Sequence, residues 1–319
     1  MTVDPRLALH LDLAGVSDAE YVVRVYRLLV RRDPLPEDVE RCVAALGRGT
    51  LSRATLLHEL ATSEEFARVR ALDDAIARAR DARLRGERPR LLTGPAGSDK
   101  RVIEIPWVLA RYGGEPRVLD VGYAFAEPAY LAALSSLGAA ELVGVDLAEA
   151  DAPGLRSVVA DVRELPFPDG SFDIVFCIST LEHVGQDTSA YGVDAHGAGG
   201  PEAALLELKR VLAPAGRLLV TVPCGQPATY GSFVQDEPAG WRRLFEQAGL
   251  FVYEEEVYEL APEGWRTAPD FDPEGVRYGE RGPAASAVLC SELRPGQLRQ
   301  AARRAGGRAL RALGRSASK

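Results

Sequence analysis

The sequence contains few residues that form disulfides or bind metals, with four cysteines and four histidines among 319 residues. Cys42, Cys177, Cys224 and Cys290 form neither a C-x-x-C pair nor any other metal-ligand spacing. A disulfide framework or a structural zinc site is therefore not expected. We predict no metal site and a reducing environment.

Long apolar runs are absent as well, and no stretch is long enough to span a bilayer. The N-terminus, from Met1 to Pro5, lacks the basic segment and the apolar run of a signal peptide. We therefore expect no stable membrane insertion and a cytoplasmic location.

The chain has no excess of positive charge, since its formal net charge is −8. The segment from Arg294 to Lys319 holds eight basic residues and no acidic one, so residues 1–293 carry 30 basic against 46 acidic side chains, or −16. Such an acidic body does not suit a nucleic-acid backbone, and we expect no nucleic-acid partner. The basic tail, 294–319, predicts either a helix resting on an anionic surface or a disordered solubilising segment.

Residues 1–85 predict a small all-α domain. Ser17 and Glu20 have the spacing of a capping box, Ser52 is placed to cap a later helix, and apolar residues recur between them at helical spacing. His10 and His58 have no companion ligand residue, so we interpret both as structural. Gly- and Pro-rich residues then lead into a second domain, 86–293.

Three short segments of the helical region carry a family resemblance. The run from Tyr26 to Pro34, the run from Gly49 to Arg53 and the run from Ser63 to Phe66 resemble domain of unknown function 4214. This family often accompanies enzymes of bacterial glycan assembly, which implies a context of glycan biosynthesis and a possible protein partner for the helical domain. A docking or solubilising bundle without a ligand is the simpler interpretation.

From Arg101 onward, strand-length apolar runs alternate with helical patterns. This alternation predicts an α/β fold with a parallel sheet covered by helices on both faces. The predicted strands are Arg117 to Val121, Glu141 to Asp146, Ser157 to Asp161, Phe172 to Ile178, Gly216 to Val222, Phe251 to Tyr258 and Ala285 to Glu292.

Polar residues stand where these strands end. Asp120 and Gly122 end the first strand, Asp146 ends the second, Asp161 ends the third, and Ser179 follows the fourth. Ligands of open parallel sheets bind outside the carboxyl ends of the strands, so we expect these residues to share one binding site.

Together with Leu181-Glu182-His183 and the run from Arg210 to Gly216, these motifs resemble class I S-adenosylmethionine-dependent methyltransferases, of the methyltransferase type 11 kind. The resemblance covers about residues 101–293. It implies a Rossmann-like seven-stranded sheet whose last strand is antiparallel, and S-adenosyl-L-methionine as cofactor. It also implies that Asp120 and Gly122 line the methionine end, Asp146 the ribose, and Asp161 with Val162 the adenine. The remaining expected cofactor contacts are Tyr123, Ala124, Leu147 and Ser179.

The turn after the first strand departs from the family pattern. Ala124 and Ala126 stand where the family usually has glycines. A methyl group narrows the approach of the backbone to a ligand, so either the turn is aimed differently or cofactor affinity is lost. We favour the first interpretation, because the acids for ribose and adenine are both retained.

His183 is the predicted catalytic residue, since an imidazole at the rim of the cleft can accept a proton near neutral pH. Glu182 is the alternative base. The loop 185–200 contains Asp187, Tyr191, Asp194 and His196 and predicts an acceptor-binding lid or an irregular surface loop. Arg101 and Glu104 lie on the helix before the first strand. Closure over the cofactor is one interpretation of these residues, and a solvated helix face is the favoured one.

These observations predict a methyltransferase that O-methylates a small polar molecule or a sugar within a glycan. One alternative is a non-catalytic methyltransferase-like adaptor in glycan or natural-product assembly. A second alternative, a nicotinamide dehydrogenase, is disfavoured because no G-x-G-x-x-G follows the first strand.

Overall fold

The computed structural model describes residues 15–89, 92–189, 199–282 and 284–296. The chain divides into two compact units, one ending at Asp74 and one beginning at Ala75. His10, most of the predicted basic tail, and Tyr191, Asp194 and His196 of the predicted lid lie outside the described residues.

The first unit is helical, as the sequence predicts. Its core consists of apolar side chains from the first three helices, with Val22 and Val25 fully buried. Ser17 caps the first helix by accepting the N–H of Glu20, and Ser52 caps the third by accepting the N–H of Thr55. The helices are α1 (Asp18–Leu29), α2 (Pro36–Gly47), α3 (Arg53–Ala61) and α4 (Glu64–Leu84), of which α4 continues into the second unit.

The capping box at Ser17 is only half formed. The Glu20 side chain, which the sequence pattern assigns to the backbone of Ser17, forms a salt bridge with Arg24 one turn along the helix. An (i, i+4) arginine competes for the same carboxylate, so the box lacks its return bond.

The second unit is built on one large sheet. Its strands are β1 (Gly94–Pro95), β2 (Arg117–Val121), β3 (Glu141–Asp146), β4 (Arg156–Val159), β5 (Phe172–Ile178), β6 (Leu212–Pro223), β9 (Leu250–Ala261), β10 (Gly264–Thr267) and β11 (Ala287–Pro295). The strand order is β1-β10-β9-β11-β6-β5-β2-β3-β4. A separate two-stranded hairpin comprises β7 (Ala228–Thr229) and β8 (Val234–Gln235).

The topology is that of the predicted Rossmann-like sheet. Strands β4, β3, β2, β5 and β6 are parallel, and β11, the last strand, lies antiparallel between β6 and β9. These seven strands are the predicted ones. The short β1 and β10 extend the edge beyond β9 and have no counterpart in the sequence prediction.

The helices of this unit are α5 (Arg101–Leu109), α6 (Pro128–Ser135), α7 (Pro201–Val211) and α8 (Pro238–Gln247). The central strands are buried at almost every position, so both faces of the sheet are covered. Leu205 and Leu208 of α7 and Phe245 of α8 pack with alternate residues of the strands in one core. None of the helices within the described ranges is both long and apolar enough to cross a membrane.

Candidate functional site

A pocket opens at the carboxyl edge of the parallel strands. It lies beside the neighbouring strands β2 and β5. From β2 the chain continues to β3 on one side of this pair, and from β5 it continues to β6 on the other side. This reversal of strand order separates the loops that follow the strands and creates a crevice between them. The topology thus places the ends of β2, β3, β4 and β5 around one cavity.

The pocket brings together most of the residues singled out from the sequence. Those that line it are Asp120, Gly122, Asp146, Leu147, Asp161, Val162, Ser179 and His183. Tyr123 and Ala124 are not among the lining residues. The Tyr123 side chain is fully buried, with its hydroxyl bonded to Ser157 and to the Ala150 carbonyl. A contact between either residue and a cofactor remains a prediction.

Gly122 forms the turn after β2, with a φ of 86° that favours glycine. A Cβ at this position would collide with the Thr180 side chain, so packing between two strand ends excludes a larger residue. Among the described residues other than glycine, only Arg31 and Ser179 have positive φ, so Ala124 and Ala126 occupy the turn without the strain that glycine relieves.

Asp146 organises the same turn through its carboxylate. Oδ2 accepts the N–H of Ala124 at 2.9 Å, and Oδ1 accepts the N–H of Ala148 at 3.3 Å. A carboxylate has about four acceptor directions, so each oxygen retains capacity for a further donor. Asp146 is thus oriented by backbone amides and can still accept the two hydroxyls of a ribose.

Asp161 lies in the loop after β4 and is paired with Arg163. The guanidinium Nη2 lies 2.6 Å from Oδ2, and Nε lies 3.0 Å from Oδ1. The hydrogen bonds from Arg163 lower the pKa of Asp161 despite its partial burial. The carboxylate is therefore held ionised, as an acceptor must be.

Asp120 is a buried part of the pocket wall and accepts a hydrogen bond from the Tyr130 hydroxyl. Burial raises the pKa of Asp120 to about 7, and the Tyr130 hydrogen bond only partly opposes this rise. Asp146 acts in the same direction as burial, since a nearby negative charge disfavours a second one. Asp120 therefore changes charge close to neutral pH.

We expect Asp120→Asn to stabilise the fold more at pH 8 than at pH 5. The folded state holds the Asp120 proton more tightly than the unfolded chain does, so ionisation between about pH 4 and 7 costs folding free energy, roughly 4 kcal/mol at most. Asparagine accepts the Tyr130 bond without that charge. Urea unfolding at both pH values measures the difference.

Asp173→Asn provides a control of opposite sign. Hydrogen bonds from Arg117 lower the pKa of Asp173, so its contribution to stability is present at neutral pH and is lost on acidification. An Asp120→Asn effect that is the same at both pH values would contradict the assignment of a burial cost to Asp120.

A buried polar cluster adjoins the pocket through Ser179. Ser179 has a φ of 46°, and its hydroxyl donates to Glu104 at 2.7 Å and accepts from the Lys100 ammonium at 2.6 Å. The ammonium also pairs with Glu182 at 3.5 Å. Burial alone would lower the pKa of Lys100, but Glu104 and Glu182 outweigh it and raise the pKa. The cluster holds Ser179 in a conformation that costs a residue with a side chain about 1 kcal/mol or more.

The expectation of a solvated helix face at Arg101 and Glu104 is wrong. Glu104 is fully buried, and Arg101 lines the pocket with its Nη1 3.6 Å from Glu104 Oε2. Ser179, which donates a hydrogen bond to Glu104, lies 75 residues away in the sequence. Helical periodicity cannot indicate such a pairing.

His183 ends a short 3-10 helix, Leu181–His183, and lines the pocket. Its Nδ1 lies 2.8 Å from the carbonyl oxygen of Ser232, and its ring packs 5.8 Å from that of Phe233. Glu182 points elsewhere, because its side chain is buried beside Lys100 and is not part of the pocket wall. Of the two bases considered from the sequence, His183 is the one in the cleft.

Sequence reasoning missed several further residues of the site. Arg163 lines the pocket, Tyr130 binds Asp120, and Lys100 anchors the cluster under Ser179. Tyr130 and Lys100 stand in ordinary helical surroundings and carry no motif. Within the described part of the chain, no group of three or more His, Cys, Asp or Glu side chains is placed to hold a metal ion.

The family comparison agrees with both resemblances drawn from the motifs. Residues 119–220 match the family model described as a methyltransferase domain, and residues 11–69 match domain of unknown function 4214. The first match contains the ends of β2 to β5 and hence most of the pocket wall. Because methyltransferases of this family use S-adenosylmethionine, the match indicates this cofactor.

Individual relatives are more distant. EEF1A lysine methyltransferase 4 of Mus musculus is 32% identical over 114 residues, which are 35% of this chain and 39% of the mouse protein. This chain therefore spans well under half of that relative. Among solved structures, a putative methyltransferase of Haloferax volcanii in complex with a methyltransferase activator matches with 19% identity and a TM-score of 0.42, over 70% of this chain and 97% of that chain. The 1,6-didemethyltoxoflavin-N1-methyltransferase of Burkholderia thailandensis matches with 16% identity and a TM-score of 0.39, over 83% and 92% of the two chains.

Proposed function

We propose that this chain transfers a methyl group from S-adenosylmethionine to a hydroxyl of a small polar molecule or a sugar. The proposal is supported by the match of residues 119–220 to a methyltransferase family model. One observation carries the proposal. The acids that end β2, β3 and β4 line a single pocket, although they are separated in sequence by 15 residues or more. The fold alone brings these strand ends to one edge, and what supports a nucleoside site is that all three ends carry a carboxylate in the wall of the same cavity.

The residues of the pocket fit the cofactor by the chemistry of their donors and acceptors. Asp146 is oriented to accept ribose hydroxyls, Asp161 is held ionised to accept an adenine amino group, and the turn at Gly122 allows a close approach to the methionine end. The cofactor supplies a methyl group already activated on a sulfonium. The chain then needs only to align an acceptor and to take up its proton.

We infer that His183 takes up that proton. Its ring lines the pocket, and the Ser232 carbonyl next to Nδ1 favours the tautomer that carries its proton on Nδ1. In this tautomer Nε2 is the basic nitrogen. The segment 185–200, which begins two residues after His183, would then contact the acceptor, with Gly185 and Thr188 already in the pocket wall.

We expect S-adenosylhomocysteine to raise the melting temperature, because a ligand that binds only the folded state stabilises it by mass action. Asp146→Ala should abolish the shift, since it removes the proposed ribose acceptor. Asp151→Ala serves as a control, because Asp151 is exposed and is not in the pocket wall. Differential scanning fluorimetry over a range of ligand concentrations gives the result.

A non-catalytic adaptor is the second candidate, and one observation favours it. Both carboxylates assigned to the nucleoside already have partners within the chain, Asp146 with backbone amides and Asp161 with Arg163. A fold that had lost its cofactor would retain acids satisfied in this way. Absence of any thermal shift, confirmed by calorimetry at high ligand concentration, would favour the adaptor over the enzyme.

A further inference from the structure

The Arg163 guanidinium forms part of the pocket wall at the strand end that carries Asp161. Its side chain is only 7% exposed, whereas that of Asp161 is 31% exposed. The cation is thus the less exposed member of the pair, and the carboxylate is the more accessible one. In a surface ion pair the end of a long arginine side chain is usually more exposed than the short acid, and here the exposures are reversed.

The contacts between the two side chains fix the plane of the carboxylate. Nε lies 3.0 Å from Oδ1 and 3.1 Å from Oδ2, Nη2 lies 2.6 Å from Oδ2, and the backbone N–H of Arg163 lies 2.8 Å from Oδ1. A planar guanidinium that binds two oxygens determines the orientation of its partner in a way that a single hydrogen bond does not. Asp161 therefore has one defined orientation within the pocket.

The same guanidinium reaches a second element. Its Nη1 donates to the carbonyl oxygen of Gly199 at 2.8 Å, two residues before α7 begins. A Cβ at Gly185 would lie 3.0 Å from that same oxygen, so the two ends of the segment 185–200 meet at this point. Arg163 thus joins the loop after β4 to the base of the segment that follows His183.

We propose that Arg163 is a positioning residue that sets Asp161 to accept the 6-amino group of adenine and thereby determines the selectivity of the pocket for an adenine base. The inference rests on the proposed function, since it assigns the adenine end of the cofactor to Asp161. A carboxylate held in one plane accepts an amino group and rejects a base that presents a carbonyl oxygen at the same place. A carboxylate that is free to rotate, or to take up a proton, makes a weaker distinction.

The test compares two ligands of one protein. S-adenosylhomocysteine carries the 6-amino group, and S-inosylhomocysteine has a carbonyl oxygen in its place. Calorimetry on the full chain should show that Arg163→Met weakens S-adenosylhomocysteine binding about tenfold and reduces the preference over S-inosylhomocysteine by a similar factor. Arg163→Lys, which keeps the charge but cannot bind both oxygens and Gly199 together, should fall between Arg163→Met and the unsubstituted protein.

Asp161→Ala defines the limit of the effect. It should remove the preference, and adding Arg163→Met to it should change neither affinity further, since residues that act through each other are not additive. Arg156→Met is the matched control. It removes an exposed arginine paired with Glu141 at 2.9 Å and should leave both affinities unchanged.

The outcomes separate this inference from the proposed function. If the unsubstituted chain does not bind S-adenosylhomocysteine, the proposed function fails. If it binds and Arg163→Met keeps the same affinity and preference, Arg163 is a structural residue and the inference is overturned. Tighter binding by Arg163→Met also overturns it, because the arginine would then compete with adenine for Asp161. Should Arg163→Met fail to fold, judged by its melting curve, Arg163→Gln and Arg163→Lys decide the question.

Discussion

Replacing His183 by alanine should reduce methyl transfer by a factor of roughly 10² to 10⁴, the usual loss when a general base is removed. Cofactor affinity should change little, because all residues assigned to the cofactor except Ser179 lie on other strand ends. The reduction should therefore appear in kcat rather than in the dissociation constant of S-adenosylhomocysteine.

Glu182→Gln separates the two bases that the sequence offers. Glu182 is buried beside Lys100, so its substitution should lower stability and disturb the cluster under Ser179 without reproducing a loss confined to kcat. Near-normal turnover by His183→Ala would make the histidine a structural element of the Ser232 contact and would direct the search to Asp187 and Tyr191.

Arg111→Met should lower the free energy of unfolding by about 3 to 5 kcal/mol, as expected when one member of a buried charge pair is removed. The Arg111 side chain is fully buried and binds Glu254 at 2.9 Å and Glu256 at 3.3 Å. Its guanidinium carbon also lies 3.7 Å from the centre of the Trp107 ring. In Arg111→Met, Glu254 and Glu256 of β9 remain largely buried but lose the cation that compensates their charge.

Urea unfolding of the full chain measures this loss. Arg266→Met provides the comparison, because Arg266 also pairs with a glutamate of β9 but is 62% exposed. Exposed pairs contribute between about 0 and 1 kcal/mol. Equal losses for Arg111→Met and Arg266→Met would show that burial adds nothing to the pairing and would contradict the assigned role of the network.

The sequence predicted the parallel half of the sheet well because those strands are buried on both faces. Arg117–Val121, Glu141–Asp146 and Phe172–Ile178 have the bounds that their apolar runs indicate. The third predicted strand, Ser157 to Asp161, is found at Arg156–Val159. The chain leaves the sheet before Asp161, so that this side chain stands in a loop with Arg163.

The edge of the sheet was harder to predict. Strands β1 and β10 have two and four residues, and their pairing depends on a Gly94 to Trp265 register that joins segments far apart in the chain. Two residues are too few for any periodicity. The same holds for the hairpin of β7 and β8, whose Ser232 carbonyl nevertheless orients His183.

The residues of the candidate site also fall into two groups, those that the sequence indicates and those that it does not. Residues at strand ends could be found from the sequence, because strand periodicity and topology together place them at one edge. The sequence could not indicate the buried cluster at the start of α5, which contains Lys100, Arg101 and Glu104. Its burial depends on Ser179 and Glu182, which follow β5 and are distant in the sequence. Arg163 was hidden for a different reason, because arginine in a polar loop is ordinarily a solvated residue.

The measurement that tests the central claim most directly follows the methyl group itself. The full chain is incubated with S-adenosylmethionine that carries a deuterated methyl group, together with a fraction of small polar metabolites and sugars, and the products are analysed by mass spectrometry. We predict a metabolite in which one hydroxyl hydrogen is replaced by the labelled methyl group, formed with an equal amount of S-adenosylhomocysteine and strongly reduced with Asp146→Ala and His183→Ala. Binding of the labelled donor without labelling of any hydroxyl compound, in fractions that cover sugars and small polar molecules, would contradict the account.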